Sequence, residues 1–131
     1  MAEQSEIWAG GCMCGAVRYE AVGEPSEVCY CHCHSCRRHT GAPVVALVFF
    51  AADKVRFSGR ERSIYNSSPG VERGFCDQCG TSLTWEGKFR ERAVINIHIS
   101  TFDDPDPHVP ETRYFHEERI AWFDVADFTP R

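Results

Sequence analysis

Eight cysteines in three compact groups constrain the fold of this chain more than any other feature. Four of them fall within the run Cys29-Tyr30-Cys31-His32-Cys33-His34-Ser35-Cys36. The others form two glycine-bounded pairs, Cys12-x-Cys14-Gly15 and Cys76-x-x-Cys79-Gly80. Thiols spaced this closely oxidise, bind metal or take part in catalysis. The pattern therefore predicts a fold organised around sulfur.

The start of the chain indicates whether its cysteines are expected to form disulfides or to bind metal. MAEQSEIWAGG has no basic segment followed by an apolar run, so no secretory signal is expected, and no apolar stretch approaches membrane-spanning length. We expect a cytoplasmic, reducing setting, in which cysteines bind metal rather than form disulfides, although disulfide pairing remains an alternative. The net charge of −5 argues against a nucleic-acid or anionic-membrane partner.

The two glycine-bounded pairs predict a closed zinc site. Cys76-x-x-Cys79 has the spacing of a structural zinc knuckle, in which Gly80 allows the tight turn that aims backbone amides at the sulfurs. Cys12 and Cys14 supply two more ligands. Closing the long intervening loop costs about 4 kcal/mol, whereas a structural zinc returns about 10–16 kcal/mol. A four-cysteine iron centre would use the same ligands and stays open as an alternative.

The central run predicts a second, open metal site. Cys31 and Cys33 share one face of an extended chain, with Cα atoms about 6.6 Å apart, and a turn brings Cys36 to them. Cys29 would lie about 13 Å from Cys33, so we interpret it as a buried thiol. Three thiolates and a vacant fourth position are typical of a reactive zinc. If the chain curls, Cys29 closes this site and makes it structural.

The rest of the sequence predicts short strands joined by turns, in a single domain at residues 10–131 after an N-terminal tail at 1–9. One helical turn is expected at 35–40, ended by Gly41. Alternating or β-branched runs indicate strands at 16–22, 28–31, 44–50, 54–57, 63–65, 71–75, 83–85, 93–99 and 120–125. The fold class is therefore all-β with one or two short helical turns. The run 44–50 is expected to be covered on both faces.

Three motifs in this order resemble the glutathione-dependent formaldehyde-activating family. They are Gly11-Cys12-x-Cys14-Gly15-x-Val17-Arg18-Tyr19, Cys31-His32-Cys33-x-x-Cys36-Arg37-x-x-x-Gly41 and Phe75-Cys76-x-x-Cys79-Gly80-x-x-Leu83. The resemblance implies a β-tent fold with two zinc ions. It implies a structural ion on Cys12, Cys14, Cys76 and Cys79, and a reactive ion on Cys31, Cys33 and Cys36. Cys29 lies outside the family pattern.

The same resemblance implies a carbon–sulfur lyase that joins glutathione to formaldehyde, as S-(hydroxymethyl)glutathione synthase does. A small peptide thiol carries carboxylates, and Arg37 or Arg38 is a candidate to bind one, although offsetting the thiolate charge is an equal alternative. His32 and His34 are expected to support the site or lie at the surface rather than bind metal. The alternatives are a non-catalytic zinc module that binds a partner and an iron protein for electron transfer. The oligomeric state is left open.

Overall fold

The computed structural model describes residues 6–123, which form ten β-strands and one α-helix. The elements in chain order are β1 Ile7–Gly11, β2 Val17–Val22, β3 Glu27–Cys31, α1 His34–Thr40, β4 Val45–Ala51, β5 Val55–Gly59, β6 Ser63–Ser68, β7 Val71–Phe75, β8 Ser82–Phe89, β9 Arg92–His98 and β10 Thr112–Tyr114. The predicted all-β class is confirmed. No helix in this range has the length and apolar character needed to cross a membrane.

The strands form two sheets. The larger sheet has the order β10-β3-β4-β9-β8-β7-β6, and the smaller has the order β1-β2-β5. Neighbouring strands run antiparallel, except that β10 pairs in parallel with β3. Strands β3 and β4 therefore lie on one side of the large sheet, and β7 lies near its other edge. The first cysteine group lies in the β1–β2 and β7–β8 turns, and the second lies at the end of β3 and the start of α1.

Strand β4 separates two packed clusters of side chains. Its Val48 and Phe50 face the main core, where they pack with the inward side of β2. Its Val45, Leu47 and Phe49 face the opposite way and pack against the cysteines of β3 and α1. Successive side chains of a strand point to opposite faces, so β4 contributes buried side chains to both clusters. The prediction of a strand covered on both faces is confirmed, and one of these faces forms a wall of the second cysteine group.

Helix α1 ends where the sequence predicted. Gly41 follows it in the left-handed conformation with a φ of 72°, which glycine adopts without steric penalty. The Gly41 amide donates to the Arg37 carbonyl at 2.7 Å. The helix begins one residue earlier than predicted, at His34. This short, firmly capped helix holds Cys36 in its first turn.

Three predictions about strands need correction or extension. Strand β1 was not predicted, and its residues 7–9 fall in the expected tail, yet it pairs with β2 along its whole length. Strand β10 was also missed, because three residues show too little periodicity and its pairing with β3 is a tertiary contact. The strand expected at 120–125 is wrong for residues 120–123, which form a turn. Residues 124–125 lie outside the described range.

Candidate metal centres and thiol site

The first cysteine group joins two loops that are far apart in sequence. Cys12 and Cys14 lie in the turn between β1 and β2, and Cys76 and Cys79 lie in the turn between β7 and β8. The four Sγ atoms lie within 4.8 Å of one another. The Cys12–Cys14 and Cys14–Cys76 sulfur distances are 3.6 and 3.9 Å. Tetrahedral zinc with bonds of about 2.3 Å needs sulfurs nearly 4 Å apart, so the geometry fits.

Hydrogen-bond donors point at these sulfurs, as they do around thiolate ligands. The Val17 amide donates to Cys12 Sγ at 3.2 Å, and Gln78 Nε2 donates to Cys14 Sγ at 3.3 Å. The Thr81 hydroxyl lies 3.2 Å from Cys79 Sγ and lowers the pKa of that thiol to about 5. Stabilised thiolates are what a structural zinc requires. The group as a whole therefore fits a closed four-sulfur ion.

The two glycines that follow these pairs have the backbone that the knuckle prediction requires. Gly15 has a φ of 80° and Gly80 a φ of 82°, both in the left-handed region. The Gly80 amide donates to the Cys76 carbonyl at 2.8 Å, and the Gly15 amide donates to the Cys12 carbonyl at 3.0 Å. A residue with a Cβ would strain either turn. Both loops are thus tight turns that direct two sulfurs toward one point.

The second group is built from the end of one strand and the start of the helix. Cys31 is the last residue of β3, Cys33 caps α1 in an extended conformation, and Cys36 lies in the first turn of the helix. Their three Sγ atoms lie within 4.8 Å of one another. The Cys36 amide donates to Cys33 Sγ at 3.3 Å. The structure therefore brings together the three sulfurs that the spacing predicted, and their role as metal ligands stays a prediction.

These three thiols cannot ionise independently. Hydrogen bonds from Cys31 and Cys36 lower the pKa of Cys33, whereas sharing the site with Cys33 raises the pKa of Cys31. Sulfurs this close together share protons, because several adjacent thiolates would repel one another. A divalent cation would replace those protons and remove the repulsion. The donor set thus fits zinc, with three protein ligands.

Cys29 lies apart from this group. It is 1% exposed on β3, opposite Leu47 on β4 and Thr112 on β10. Burial, followed by the charge of Glu27, raises the pKa of Cys29 to about 12. Among the described residues, the set of converging sulfurs contains Cys31, Cys33 and Cys36 without it. The placement agrees with the buried-thiol interpretation and not with a fourth ligand.

A buried arginine that the sequence analysis did not single out contacts the second group. Arg73 on β7 is 5% exposed, and its Nη1 donates to Cys36 Sγ at 3.4 Å. Its Nε donates to the Ser67 hydroxyl at 2.9 Å. The signal was available, because Arg73 shares one strand face with Val71 and Phe75. A cation at an apolar position of a strand indicates a buried anionic partner.

The two predicted substrate-binding arginines differ in their surroundings. Arg37 donates from Nε to the His32 carbonyl and from Nη2 to the Glu118 carbonyl, both at 3.2 Å, and so ties the helix to the C-terminal segment. Arg38 is exposed. Both residues line a cleft of about 460 Å³ that also contains Trp122, which is 75% exposed. Their role in binding substrate stays a prediction.

The histidines lie outside both sulfur groups among the described residues. His32 is fully buried and packs edge-on against His116, with ring centroids 5.4 Å apart. His34 is exposed, and its Nδ1 lies 2.9 Å from a Glu118 carboxylate oxygen. His39 and His98 face each other with centroids 5.8 Å apart and line a cleft of about 510 Å³. That cleft also contains Cys79, so it lies between the helix and the first sulfur group.

Comparison with known proteins identifies the family. Residues 7–118 match the family described as glutathione-dependent formaldehyde-activating enzyme. A protein of Schizosaccharomyces pombe named as an uncharacterized lyase is 36% identical over 114 residues, which are 76% of this chain and 82% of that protein. A Halomonas elongata protein with the provisional name glutathione-dependent formaldehyde-activating enzyme is 32% identical over 126 residues, 88% of this chain and 79% of that protein.

A solved structure matches the fold. The crystal structure of a Rhodobacter sphaeroides protein aligns with a TM-score of 0.63 at 20% identity, covering 81% of this chain and 98% of that one. The match to the family spans most of the chain, so this protein belongs to the glutathione-dependent formaldehyde-activating family. The resemblance drawn from the three cysteine motifs is confirmed. Family membership and the relatives' names support a lyase-type enzyme at family level.

Proposed function

We propose that this chain is a zinc-dependent carbon–sulfur lyase-type enzyme that joins a small thiol such as glutathione to formaldehyde or a related aldehyde. The observation that carries the proposal is the separation of the sulfurs into a group of four and a group of three. Four sulfurs complete the coordination of a structural zinc, whereas three leave a position for a substrate atom. The second group is therefore the reaction site.

The reaction balances without an oxidant or a reductant. The thiol sulfur forms a bond to the aldehyde carbon, the carbon–oxygen double bond becomes a single bond, and the thiol proton ends on that oxygen. A zinc ion held by Cys31, Cys33 and Cys36 would act as a Lewis acid that lowers the pKa of the substrate thiol. The three cysteines that would hold that ion lie at the end of β3 and the N-terminal end of α1. The protein's further contribution is to place the two reactants next to each other.

Arg38 is proposed to orient the thiol substrate. It lies on the same short helix as Cys36, and its side chain lines the cleft that also contains the exposed Trp122. A guanidinium binds a carboxylate in a two-point contact, and glutathione has two carboxylates. Arg37 is already bonded to two backbone carbonyls. Arg38 is thus the stronger candidate of the pair.

The setting proposed for this chemistry is a reducing one. All eight cysteines lie in the described range, and each is a free thiol there. Seven of them form the two groups, whose geometry supports metal binding over disulfide pairing, and cysteines that remain reduced are typical of cytoplasmic proteins. We therefore propose a cytoplasmic location, with a small thiol as partner and no nucleic acid or membrane.

The test must separate catalysis from the uncatalysed addition of thiol to formaldehyde. We would mix glutathione and formaldehyde at equilibrium and measure the exchange between free and hydroxymethylated glutathione by two-dimensional exchange NMR. The protein is expected to speed this exchange without shifting the equilibrium, and Cys36→Ser is expected to abolish the acceleration. Cys29→Ser serves as the matched control, because it removes a buried thiol outside the site.

Two results would count against the proposed activity. Exchange at the uncatalysed rate with both metal sites loaded would contradict it. Two zinc ions that are held equally tightly, and that added glutathione does not loosen, would instead support a non-catalytic zinc module. A visible absorption band from iron in freshly purified protein would support the electron-transfer alternative.

A further inference from the structure

Arg73 is a buried cation whose contacts are with a hydroxyl and a sulfur. It is 5% exposed, in the middle of β7 and opposite Tyr65 on β6 and Trp85 on β8. Its Nε donates to Ser67 Oγ at 2.9 Å, and its Nη1 donates to Cys36 Sγ at 3.4 Å. A guanidinium cannot lose its proton at physiological pH, so its charge must be balanced in place.

The carboxylates of the described residues do not provide that balance. The ion pairs of residues 6–123 that involve arginine join Arg18 to Asp103, Arg60 to Asp77 and Arg62 to Glu86. Glu86 on the neighbouring strand β8 pairs in register with Glu72, and both of its oxygens accept from Arg62 at 2.7 Å. The anionic group that Arg73 does contact is the second sulfur group.

The other ionisable groups near Arg73 are kept neutral. Burial lowers the pKa of His98 to about 3 and also lowers the pKa of His39, and the positive charge of Arg73 adds to both effects. Arg73 therefore disfavours positive charge on the histidines around it, and the group it contacts that can carry the balancing negative charge is the Cys36 sulfur.

Counting charges shows what this cation does for the site. Three thiolates and one divalent cation carry a net charge of −1, and a substrate thiolate in the fourth position makes it −2. Arg73 brings that total back to −1. Burying an uncompensated charge is costly, so a site without Arg73 would accept a neutral fourth ligand more readily than an anionic one.

We propose that Arg73 is the fixed counter-charge of the second cysteine group and makes this site select an anionic sulfur ligand over a neutral nitrogen or oxygen ligand. This inference rests on the proposed function, because it assigns the ligand class of the same site. Arg73 acts through Cys36 and is a positioning residue.

The test compares two ligands on the cobalt-loaded protein at one pH. Cobalt(II) in the second site reports its fourth ligand by visible absorption, and 2-mercaptoethanol and imidazole serve as the anionic and neutral probes. Arg73→Lys keeps the charge and Arg73→Gln keeps a hydrogen-bond donor without charge. Arg60→Gln removes an exposed arginine near the first group and is the control.

The expected readout is the ratio of the two dissociation constants. Arg73→Gln should weaken the binding of 2-mercaptoethanol at least about tenfold relative to that of imidazole, since it leaves the charge of the buried anionic ligand uncompensated. Arg73→Lys should stay within about threefold of the wild-type ratio, and Arg60→Gln should leave the ratio unchanged. An Arg73→Gln ratio equal to that of the wild type would overturn the counter-charge role.

Loss of cobalt from the second site is also informative. If Arg73 acts by its charge, equilibrium dialysis will show that Arg73→Lys retains the second cobalt more tightly than Arg73→Gln. Equal loss from both variants would overturn the inference. Because no aldehyde is present, the result is independent of turnover. If the ratio of dissociation constants depends on the charge at position 73 but the protein does not speed the exchange between free and hydroxymethylated glutathione, the proposed function alone is refuted. If the protein speeds that exchange but the ratio does not depend on this charge, this inference alone is refuted.

Discussion

The Ser82 hydroxyl donates to the His39 carbonyl oxygen at 2.8 Å, and this bond joins the segments that carry the two sulfur groups. Ser82 begins β8 just after the Cys76–Cys79 turn, and His39 lies one helical turn beyond Cys36. The carbonyl is near the C-terminal end of α1, where helix carbonyls lack partners within the helix. Strand β8, which follows the turn of the first metal site, therefore anchors the C-terminal end of α1.

Replacing Ser82 with alanine removes this link. We expect Ser82→Ala to lower the free energy of unfolding by about 1 kcal/mol, because the His39 carbonyl loses a partly buried donor. The second metal is expected to dissociate faster, and the first is expected to be unaffected. Urea unfolding and chelator-release kinetics measure the two effects. Ser58→Ala, at an exposed serine of β5, is the control and should change neither value.

Cys29 provides a direct test of the division of the sulfurs. Cys29→Ala should retain both metals and should still speed the exchange between free and hydroxymethylated glutathione, because Cys29 lies outside the converging sulfurs. It should still lower stability by about 1–2 kcal/mol, since a fully buried side chain leaves a small cavity. Metal analysis and urea unfolding would check this. Loss of one metal from Cys29→Ala would make Cys29 a fourth ligand and the second site structural.

Arg37 and Arg38 should behave differently when replaced by alanine. Arg38→Ala is expected to raise the KM for glutathione about tenfold with little effect on stability, because it removes a charge-assisted contact with the substrate. Arg37→Ala is expected to lower stability, because Arg37 bonds the His32 and Glu118 carbonyls. Initial rates and thermal unfolding separate the two. An unchanged KM in Arg38→Ala would remove Arg38 from the substrate site.

Stability should fall as the solution becomes acidic, partly through His98. Burial holds its pKa at about 3 in the folded protein, below the ordinary value of 6.5. The unfolded chain therefore binds a proton below pH 6.5 that the folded chain rejects, and stability decreases from there toward pH 3. The slope from this one group is at most about 1.4 kcal/mol per pH unit.

The variant that checks this effect is His98→Asn, which stays polar and does not titrate. Its stability should depend less steeply on pH than that of the wild type between pH 6.5 and 5. The remaining slope includes His39, whose pKa is also lowered by burial. Urea unfolding at several pH values, with metal content verified at each, gives both slopes. Identical slopes would show that His98 takes up its proton in the folded state as readily as in the unfolded one.

The sequence was most informative where the chemistry is local. Cys76-x-x-Cys79-Gly80 predicts its own turn, because two sulfurs at that spacing and a glycine allow few other geometries. The grouping of Cys31, Cys33 and Cys36 followed from strand and turn geometry in the same way. The burial of β4 on both faces was predictable because its sequence is a continuous apolar run rich in valine and phenylalanine.

Features that depend on distant contacts were not predictable in this way. Strand β10 exists through its pairing with β3, which no pattern in Thr112–Tyr114 announces. The partner of Arg73 lies on a helix 37 residues earlier in the chain, so its role emerged with the fold. Arg37 and Arg38 are adjacent and chemically identical, and only their three-dimensional contacts distinguish them.

The measurement that tests the central claim most directly is native mass spectrometry of metal content. We predict two zinc ions in the wild type, two in Cys29→Ser, and one in Cys36→Ser, with circular dichroism showing that Cys36→Ser keeps the fold. The ion that remains in Cys36→Ser should be the one held by Cys12, Cys14, Cys76 and Cys79. A Cys36→Ser protein that retains both ions as firmly as the wild type would contradict the four-and-three division and the proposed reaction site with it.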